Sequence, residues 1–173
     1  SDANTIRDSI RVRSIVTSEE YQSHYGVQLA YDQSQKIRFD TTNKGYRIAS
    51  SVGGRGTGEH PNYIIIDDPL KADDAYSKLT IAGVNTWYDG TISTRGANNP
   101  CIILIMQRLA ENDLSGYLLK RRGWRHVCIP MHYDPDRAHP SDPRIVRGEL
   151  AFPNKYPAET VAAMEEELGP IGA

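Results

Sequence analysis

Two adjacent carboxylates, Asp67 and Asp68, directly follow the apolar run Tyr-Ile-Ile-Ile at residues 63–66 and precede Pro69. Three β-branched residues in so short a run predict a buried strand of a parallel sheet, which the proline ends. Because open α/β sheets bind ligands beyond the carboxyl ends of their strands, we expect both carboxylates at a ligand crevice. There the first can hold the water shell of Mg²⁺, and the second can orient a water that attacks a γ-phosphate. An ordinary buried strand followed by an acidic turn is the alternative interpretation.

A second apolar run, Cys-Ile-Ile-Leu-Ile-Met at residues 101–106, ends at the polar side chain of Gln107. A helix capped by Asp73 or Asp74 is predicted between the two runs and would form the crossover. Strand, helix and strand in this order form a right-handed unit with parallel neighbouring strands. The tips at Asp67 and Gln107 should therefore lie side by side.

Three segments carry a resemblance to a known family: Ile-Ile-Ile-Asp-Asp-Pro-Leu-Lys at residues 64–71, Asn-Thr-Trp-Tyr at 85–88, and Asn-Pro-Cys-Ile-Ile-Leu-Ile-Met-Gln-Arg-Leu-Ala-Glu-Asn-Asp-Leu-Ser-Gly at 99–116. Together they resemble the ATPase domain of the large terminase subunit of tailed phages and prophages. The resemblance runs from about Ile6 to the C-terminus, where Leu-Gly-Pro at 168–170 is similar to the end of that domain. It implies an α/β fold with a mostly parallel sheet flanked by helices, as a partial P-loop core.

The family's activity is what the resemblance implies for this chain. ATP hydrolysis would drive the translocation of double-stranded DNA into a procapsid, with Mg²⁺ and ATP as cofactors. The implied partners are double-stranded DNA, a portal protein, a small terminase subunit and further copies of the chain in a ring. The implied location is the cytoplasm of a bacterial host.

Four site residues follow from the resemblance. Asp67 resembles the Walker B carboxylate that holds Mg²⁺ through water, and Gln107 resembles the coupling residue that senses the γ-phosphate. Asp68 stands where the family usually has a catalytic glutamate, so its side chain is one methylene shorter. Arg55, in the glycine-rich residues 53–58, is the nearest match to the family's arginine finger. A glycine-rich turn with no phosphate role is the alternative for that loop.

The phosphate-binding loop of P-loop ATPases is absent from the sequence. The chain contains no Gly-x-x-x-x-Gly-Lys-Ser/Thr, the loop that cradles the β- and γ-phosphates. It also contains no segment that resembles a nuclease. We therefore expect a piece of a terminase that begins after the Walker A helix, ends before the nuclease and is inactive alone.

Composition describes one globular domain without a global attraction to nucleic acid. The chain has 173 residues, 39% of them hydrophobic and 24% charged, with a net charge of -2, so DNA contact must be local. The run at residues 101–106 is far shorter than the ~20 residues that span a bilayer, and no signal peptide is recognisable. These features predict a cytoplasmic protein. Cys101 and Cys128 fall in apolar strand patterns and are expected as buried reduced thiols.

The remaining patterns predict further elements around these strands. Before the first apolar strand we expect a helix from Asn4 or Thr5, and a second helix from a capping box at 17–20 to His24 that stops at Gly26. An antiparallel hairpin of residues 36–40 and 45–50 should follow and lie against the parallel sheet. After the second apolar strand we expect a helix from Asn112 or Asp113 to Arg121, a last strand at 124–130, a long surface loop at 131–147 and a helix from Pro157 to 169–170.

Other functions remain open on sequence alone. A non-enzymatic module of prophage origin could bind DNA or a partner through the basic residues Lys120, Arg121, Arg122 and Arg125. The carboxylate pair Asp67 and Asp68 could instead belong to a metal nuclease, which would need further carboxylates. His132, Asp134, Asp136 and His139 suggest a metal site, but their spacing matches no standard one.

Overall fold

Helices and two small sheets make up the computed structural model of the chain, which describes residues 2–34, 36–54, 58–97 and 100–172. The predicted α/β class is confirmed. By its internal contacts the chain divides into two compact units, residues 1–120 and 121–173. The expectation of a single domain stays a prediction.

The elements follow one another in a mixed order. They are α1 (Asp2–Val16), α2 (Glu19–Tyr25), β1 (Leu29–Ser34), β2 (Arg38–Thr41), β3 (Tyr46–Ile48), β4 (Tyr63–Asp67), a 3-10 helix (Ala72–Tyr76), α3 (Lys78–Trp87), a π-helical turn (Tyr88–Ile92), β5 (Cys101–Ile105), α4 (Leu114–Leu119) and α5 (Ala158–Gly172).

The two strands that carry the candidate chemistry pair in parallel, as predicted. Tyr63 lies opposite Cys101 and Asp67 lies opposite Ile105. The sheet holds only these two strands within the described residues. The expectation of one mostly parallel sheet is therefore wrong for this part of the chain.

The predicted hairpin is confirmed, but it belongs to a separate sheet. Strand β2 pairs antiparallel with β3 on one side, with Phe39 opposite Arg47, and with β1 on the other. The prediction that the hairpin lies against the parallel strands is wrong within the described residues, because β1, β2 and β3 form a sheet of their own that pairs with neither β4 nor β5. Strand β1 was not predicted, since its sequence Leu-Ala-Tyr-Asp-Gln-Ser has little apolar alternation.

Strand β4 is half exposed, whereas a buried strand was predicted. Ile66 is 5% exposed, but Ile65 is 65% and Tyr63 is 70% exposed. Alternation of this kind arises because successive side chains of a strand point to opposite faces, and only one face of this pair is covered. Cys101 on β5 is likewise exposed rather than buried, and both cysteines are free thiols.

Helix ends show which capping predictions were correct. Helix α2 ends as predicted at Gly26, which is left-handed with φ 59°, but its N-cap is Ser18 rather than Thr17. Helix α3 is capped by Ser77, which accepts a hydrogen bond from the Thr80 N–H at 3.2 Å. The predicted caps of that helix instead lie in the preceding 3-10 helix, because the extended backbone of Ser77 interrupts the helical run.

The second unit contains no strand where one was predicted. Residues 124–130 are described but form neither strand nor helix, and Val127 and Ile129 are 58% and 60% exposed. Among the described residues it pairs with no strand. Helix α5 begins just after Pro157, as predicted, but continues to Gly172 beyond its predicted end.

Residues 131–147 form no helix or strand, but a buried arginine organises them. Arg144 donates to the carbonyl oxygens of Pro130, Met131 and Glu149 at 2.8–3.1 Å and makes a two-pronged ion pair with Asp142 at 2.7 and 3.0 Å. Hydrogen bonding to Asp142 raises the pKa of Arg144 against the opposing effect of burial. One guanidinium thus joins the two ends of this segment. Across the described residues of both units, no helix combines the length and apolar character needed to cross a membrane.

Candidate functional site

Asp67 and Asp68 lie at the carboxyl end of β4, beside the end of β5. Asp67 is paired in register with Ile105, and the Asp68 N–H donates to the Ile105 carbonyl oxygen at 2.9 Å. Both aspartates are exposed, and within the described chain neither forms a salt bridge. Two carboxylates are thus available at one strand tip.

Asp68 also has an unusual backbone conformation. Its φ is 40°, and Lys44 in the hairpin turn, with φ 65°, is the other described non-glycine residue with a positive φ. Aspartate tolerates this left-handed conformation better than most residues, but the conformation still destabilises the folded chain relative to glycine at the same position. Such conformations occur most often at turns and functional sites, and here the residue is at the end of the candidate catalytic strand.

Gln107 stands two residues beyond Ile105 and is exposed. The loop after it is held by Asp113, whose side chain is completely buried. One carboxylate oxygen accepts hydrogen bonds from the Leu109 and Ala110 N–H groups at 2.9 and 3.1 Å. The other accepts from the Ser115 hydroxyl at 2.7 Å and the Gly116 N–H at 2.9 Å. Asp113 therefore caps α4, as predicted, and also holds the loop that carries Gln107.

Burial of the Asp113 carboxylate acts to raise its pKa, but the hydrogen bonds from Ser115, Gly116, Ala110 and Leu109 outweigh burial and lower the pKa below its ordinary value. Arg108, 3.5 Å away, adds a favourable charge. The carboxylate therefore stays ionised at neutral pH.

The two aspartates line one end of a groove with a cavity volume of about 870 Å³. Residues 63–71 line it from β4 and the segment after it, and residues 46–48 line it from β3. Helix α3 and the π-helical turn contribute Thr80, Val84, Trp87, Thr91 and Ile92. Within the described part of the chain, the groove is lined neither by residues of β5 nor by Gln107. The groove therefore follows β4 but not β5, and it does not unite the carboxylates with Gln107.

Two arginines in this groove were missed by sequence reasoning. Arg47 and Arg95 line it, and the Nη1 atom of each is buried without a hydrogen-bond partner among the described residues. Burial lowers the pKa of Arg47 despite the attraction of Asp8. Neither arginine stands in a recognisable motif, so the sequence offered no signal for them.

The donors available for a metal ion are few. No group of three or more histidine, cysteine, aspartate or glutamate side chains that could hold a metal ion occurs within the described residues. Mg²⁺ in phosphoryl-transfer sites is often bound by one or two carboxylates together with water and substrate phosphates. The pair Asp67 and Asp68 fits that mode of binding and does not fit an all-protein metal cage.

Two other candidates from the sequence are Arg55 and the possible metal ligands of residues 131–147. Arg55 lies outside the described residues. The four candidate metal ligands of the 131–147 segment contact other residues. His132 contacts Glu165 at 2.7 Å, Asp134 and Asp136 share Arg147 at 2.7 and 2.8 Å, and His139 accepts from the Ser141 N–H at 3.2 Å.

Neither a protein-family model nor a curated protein matches this chain. The functional assignment therefore rests on the residue patterns and the geometry of β4 and β5.

Proposed function

We propose that this chain is part of the ATPase core of a viral DNA-packaging motor of the large-terminase type. In this proposal β4 is the Walker B strand and β5 the coupling strand of a partial P-loop core. The observation that carries the proposal is the parallel register, in which Asp67 is opposite Ile105, two residues before Gln107. The carboxylates and the glutamine thus follow neighbouring strand ends, where α/β sheets bind ligands.

Each side chain then has a distinct role in hydrolysis. When bound, ATP with Mg²⁺ supplies the phosphoryl group and neutralises its charge. Asp67 would hold the metal through water, and Asp68 would accept a hydrogen bond from the attacking water. Gln107 would respond to the γ-phosphate from a loop that Asp113 keeps in place. The partners that belong to this proposal are double-stranded DNA, the portal protein, the small terminase subunit and neighbouring copies of the chain in a ring, to which Arg55 would reach.

The test is Mg²⁺-dependent phosphate release by the longer gene product that the resemblance implies. Asp67→Ala should abolish hydrolysis, and Gln107→Ala should uncouple hydrolysis from DNA translocation while leaving the melting temperature nearly unchanged, since this side chain is exposed. Asp73→Ala is the matched control, because Asp73 is also an exposed aspartate of the segment after β4. Wild-type hydrolysis by Asp67→Ala would exclude the proposal.

Arg55 has its own test in the assembled motor. Mixtures of Arg55→Ala and Asp67→Ala subunits should recover part of the hydrolysis, because each defect lies on a different side of a shared site. If assembled mixtures stay inactive, Arg55 is not the arginine finger.

A second candidate function, a non-enzymatic DNA-binding module, is favoured by a cluster of exposed cations. Lys120, Arg121, Arg122 and Arg125 lie within six consecutive residues and are all exposed. If they bind DNA, the double substitution Arg122→Gln and Arg125→Gln should reduce the slope of log K for duplex binding against log salt concentration by about 0.9 per lost phosphate contact. An unchanged salt dependence would exclude these residues as the DNA contact.

A further inference from the structure

Strand β4 has a free edge that faces the groove. The Asn62 carbonyl oxygen accepts from the Cys101 N–H, and the Asp68 N–H donates to Ile105, both at 2.9 Å. Backbone groups alternate in direction along a strand, so the even-numbered residues between these two point to β5. The N–H and C=O groups of Tyr63, Ile65 and Asp67 therefore point away from β5. Over the described ranges they pair with no other strand.

Strand β3, which also lines the groove, has a free edge of its own. The Ala49 N–H donates to the Ile37 carbonyl oxygen at 2.8 Å, toward β2. By the same alternation Arg47 also faces β2 through its backbone, whereas the backbone groups of Tyr46 and Ile48 face outward. Strand β3 pairs only with β2 in the described part of the chain. Two unpaired strand edges thus border one groove.

The groove is continuous along β4 and has a cavity volume of about 870 Å³. Successive residues from Tyr63 to Pro69 line it without a gap, so it follows the whole length of β4. Unpaired strand edges bind extended peptides through main-chain hydrogen bonds, and flanking side chains select the sequence.

Charged residues of both signs line the groove: Arg47, Lys71 and Arg95 are basic, and Glu59, Asp67, Asp68 and Asp74 are acidic. Glu59 is already paired with Arg38 at 2.8 Å. Arg95 is near the amino end of β4, because the N–H of Ala97, two residues on, donates to the Pro61 carbonyl oxygen at 3.1 Å. Asp67 is at the other end, four residues from Tyr63 and thus about 13 Å away along the strand. The buried Nη1 atoms of Arg95 and Arg47 have no hydrogen-bond partner among the described residues. A buried donor without a partner is rare, and an anionic group would satisfy it.

We propose that the groove binds an extended peptide segment that adds a strand to the free edge of β4. The carboxylate side chains of the peptide would be bound by Arg47 and Arg95, and its end near Asp67 and Asp68 would be neutral or basic. The bound segment belongs to a partner protein with an acidic, extended sequence. Binding of the peptide requires neither nucleotide nor Mg²⁺, but the peptide would end beside Asp67 and Asp68, the two carboxylates to which the ATPase proposal assigns the metal and the attacking water.

The experiment uses a fluorescein-labelled hexapeptide with glutamate at its first and third positions and valine or threonine elsewhere. Fluorescence anisotropy with the 173-residue chain should show saturable binding without nucleotide. Replacing both glutamates by glutamine should weaken binding about tenfold or more, because charge-assisted hydrogen bonds are lost. Replacing the second and fourth residues by proline should abolish binding, since proline cannot donate to a strand edge.

Protein variants and hydrogen exchange test the same contacts from the other side. Arg47→Gln and Arg95→Gln should each weaken binding of the glutamate peptide about tenfold, and neither should affect the glutamine peptide. Arg7→Gln, at an arginine that is exposed on α1, should have no effect. The bound peptide should slow exchange of the Tyr63, Ile65 and Asp67 amides.

Several outcomes would overturn the proposal. Equal binding of the proline and glutamate peptides would exclude strand addition, and equal binding of the glutamine peptide would exclude the arginines. Protection of the same three amides before any peptide is added would mean that β3 and β4 pair with each other in solution. The peptide controls decide the question even if an arginine variant fails to fold.

Discussion

Replacing Asp113 by asparagine should destabilise the chain and loosen the loop behind Gln107. Asparagine can keep one acceptor oxygen for Ser115 and Gly116, but its NH₂ group would then face the N–H groups of Leu109 and Ala110, which donate to the carboxylate at 2.9 and 3.1 Å. Each donor that loses its acceptor costs about 1–3 kcal/mol, less where water can reach it. We therefore expect a loss of about 2–4 kcal/mol in the free energy of unfolding.

The pH dependence gives this prediction a second signature. Since hydrogen bonding lowers the pKa of Asp113 in the folded state, its contribution to stability is complete above the unfolded value of about 3.9. That contribution is lost as the pH falls through the lower folded pKa. The difference between wild type and Asp113→Asn should therefore stay constant from about pH 5 to 8 and shrink below about pH 4.

Urea denaturation followed by far-UV circular dichroism at several pH values measures both effects. The expected loss corresponds to a fall in melting temperature of roughly 6–12 °C. Glu111→Gln is the matched control, because Glu111 is an exposed acid two residues away. A loss below about 0.5 kcal/mol, or a difference that is the same at pH 3 and pH 7, would refute the reasoning.

Three further predictions concern the candidate site and the second unit. Asp68→Gly should raise the free energy of unfolding by about 0.5–1 kcal/mol, because it removes backbone strain, and it should abolish hydrolysis in the longer gene product. Lys44→Gly should raise the free energy of unfolding by a similar amount without affecting hydrolysis. A lower free energy of unfolding in either variant would contradict the strain argument. Arg144→Met should speed proteolysis within residues 131–150 about tenfold or more. Arg147→Met is the control and should not speed it, because that arginine is 62% exposed. Equal cleavage rates in the two variants would show that the buried guanidinium of Arg144 does not hold the segment together. The 173-residue chain alone should release phosphate from Mg²⁺–ATP no faster than buffer, and turnover that disappears in Asp67→Ala would disprove this.

The sequence predicts a helix end or a cap correctly where the stabilising contacts lie within a few residues of each other. Gly26 ends α2 because its left-handed backbone needs no distant partner. Asp113 caps α4 because its oxygen accepts from Gly116, three residues on. The parallel pairing of β4 with β5 was likewise predictable, since a helix between two apolar runs requires a crossover. That Asp67 ends one of these parallel strands and Gln107 follows the other is predicted by the same pattern.

Contacts between distant segments were decided only by the tertiary structure. Nothing in residues 36–50 indicates that β1 would take the place beside β2, because any open strand edge offers the same backbone donors and acceptors. The free edges of β3 and β4 and the buried Nη1 atoms of Arg47 and Arg95 arise from the same choice of neighbours. The sequence by itself determined the end of α2, the cap of α4, the two apolar strands and the carboxylates that follow the first of them. Which strands pair, which faces remain exposed and which charges enter the groove depended on packing between segments, which local periodicity does not encode.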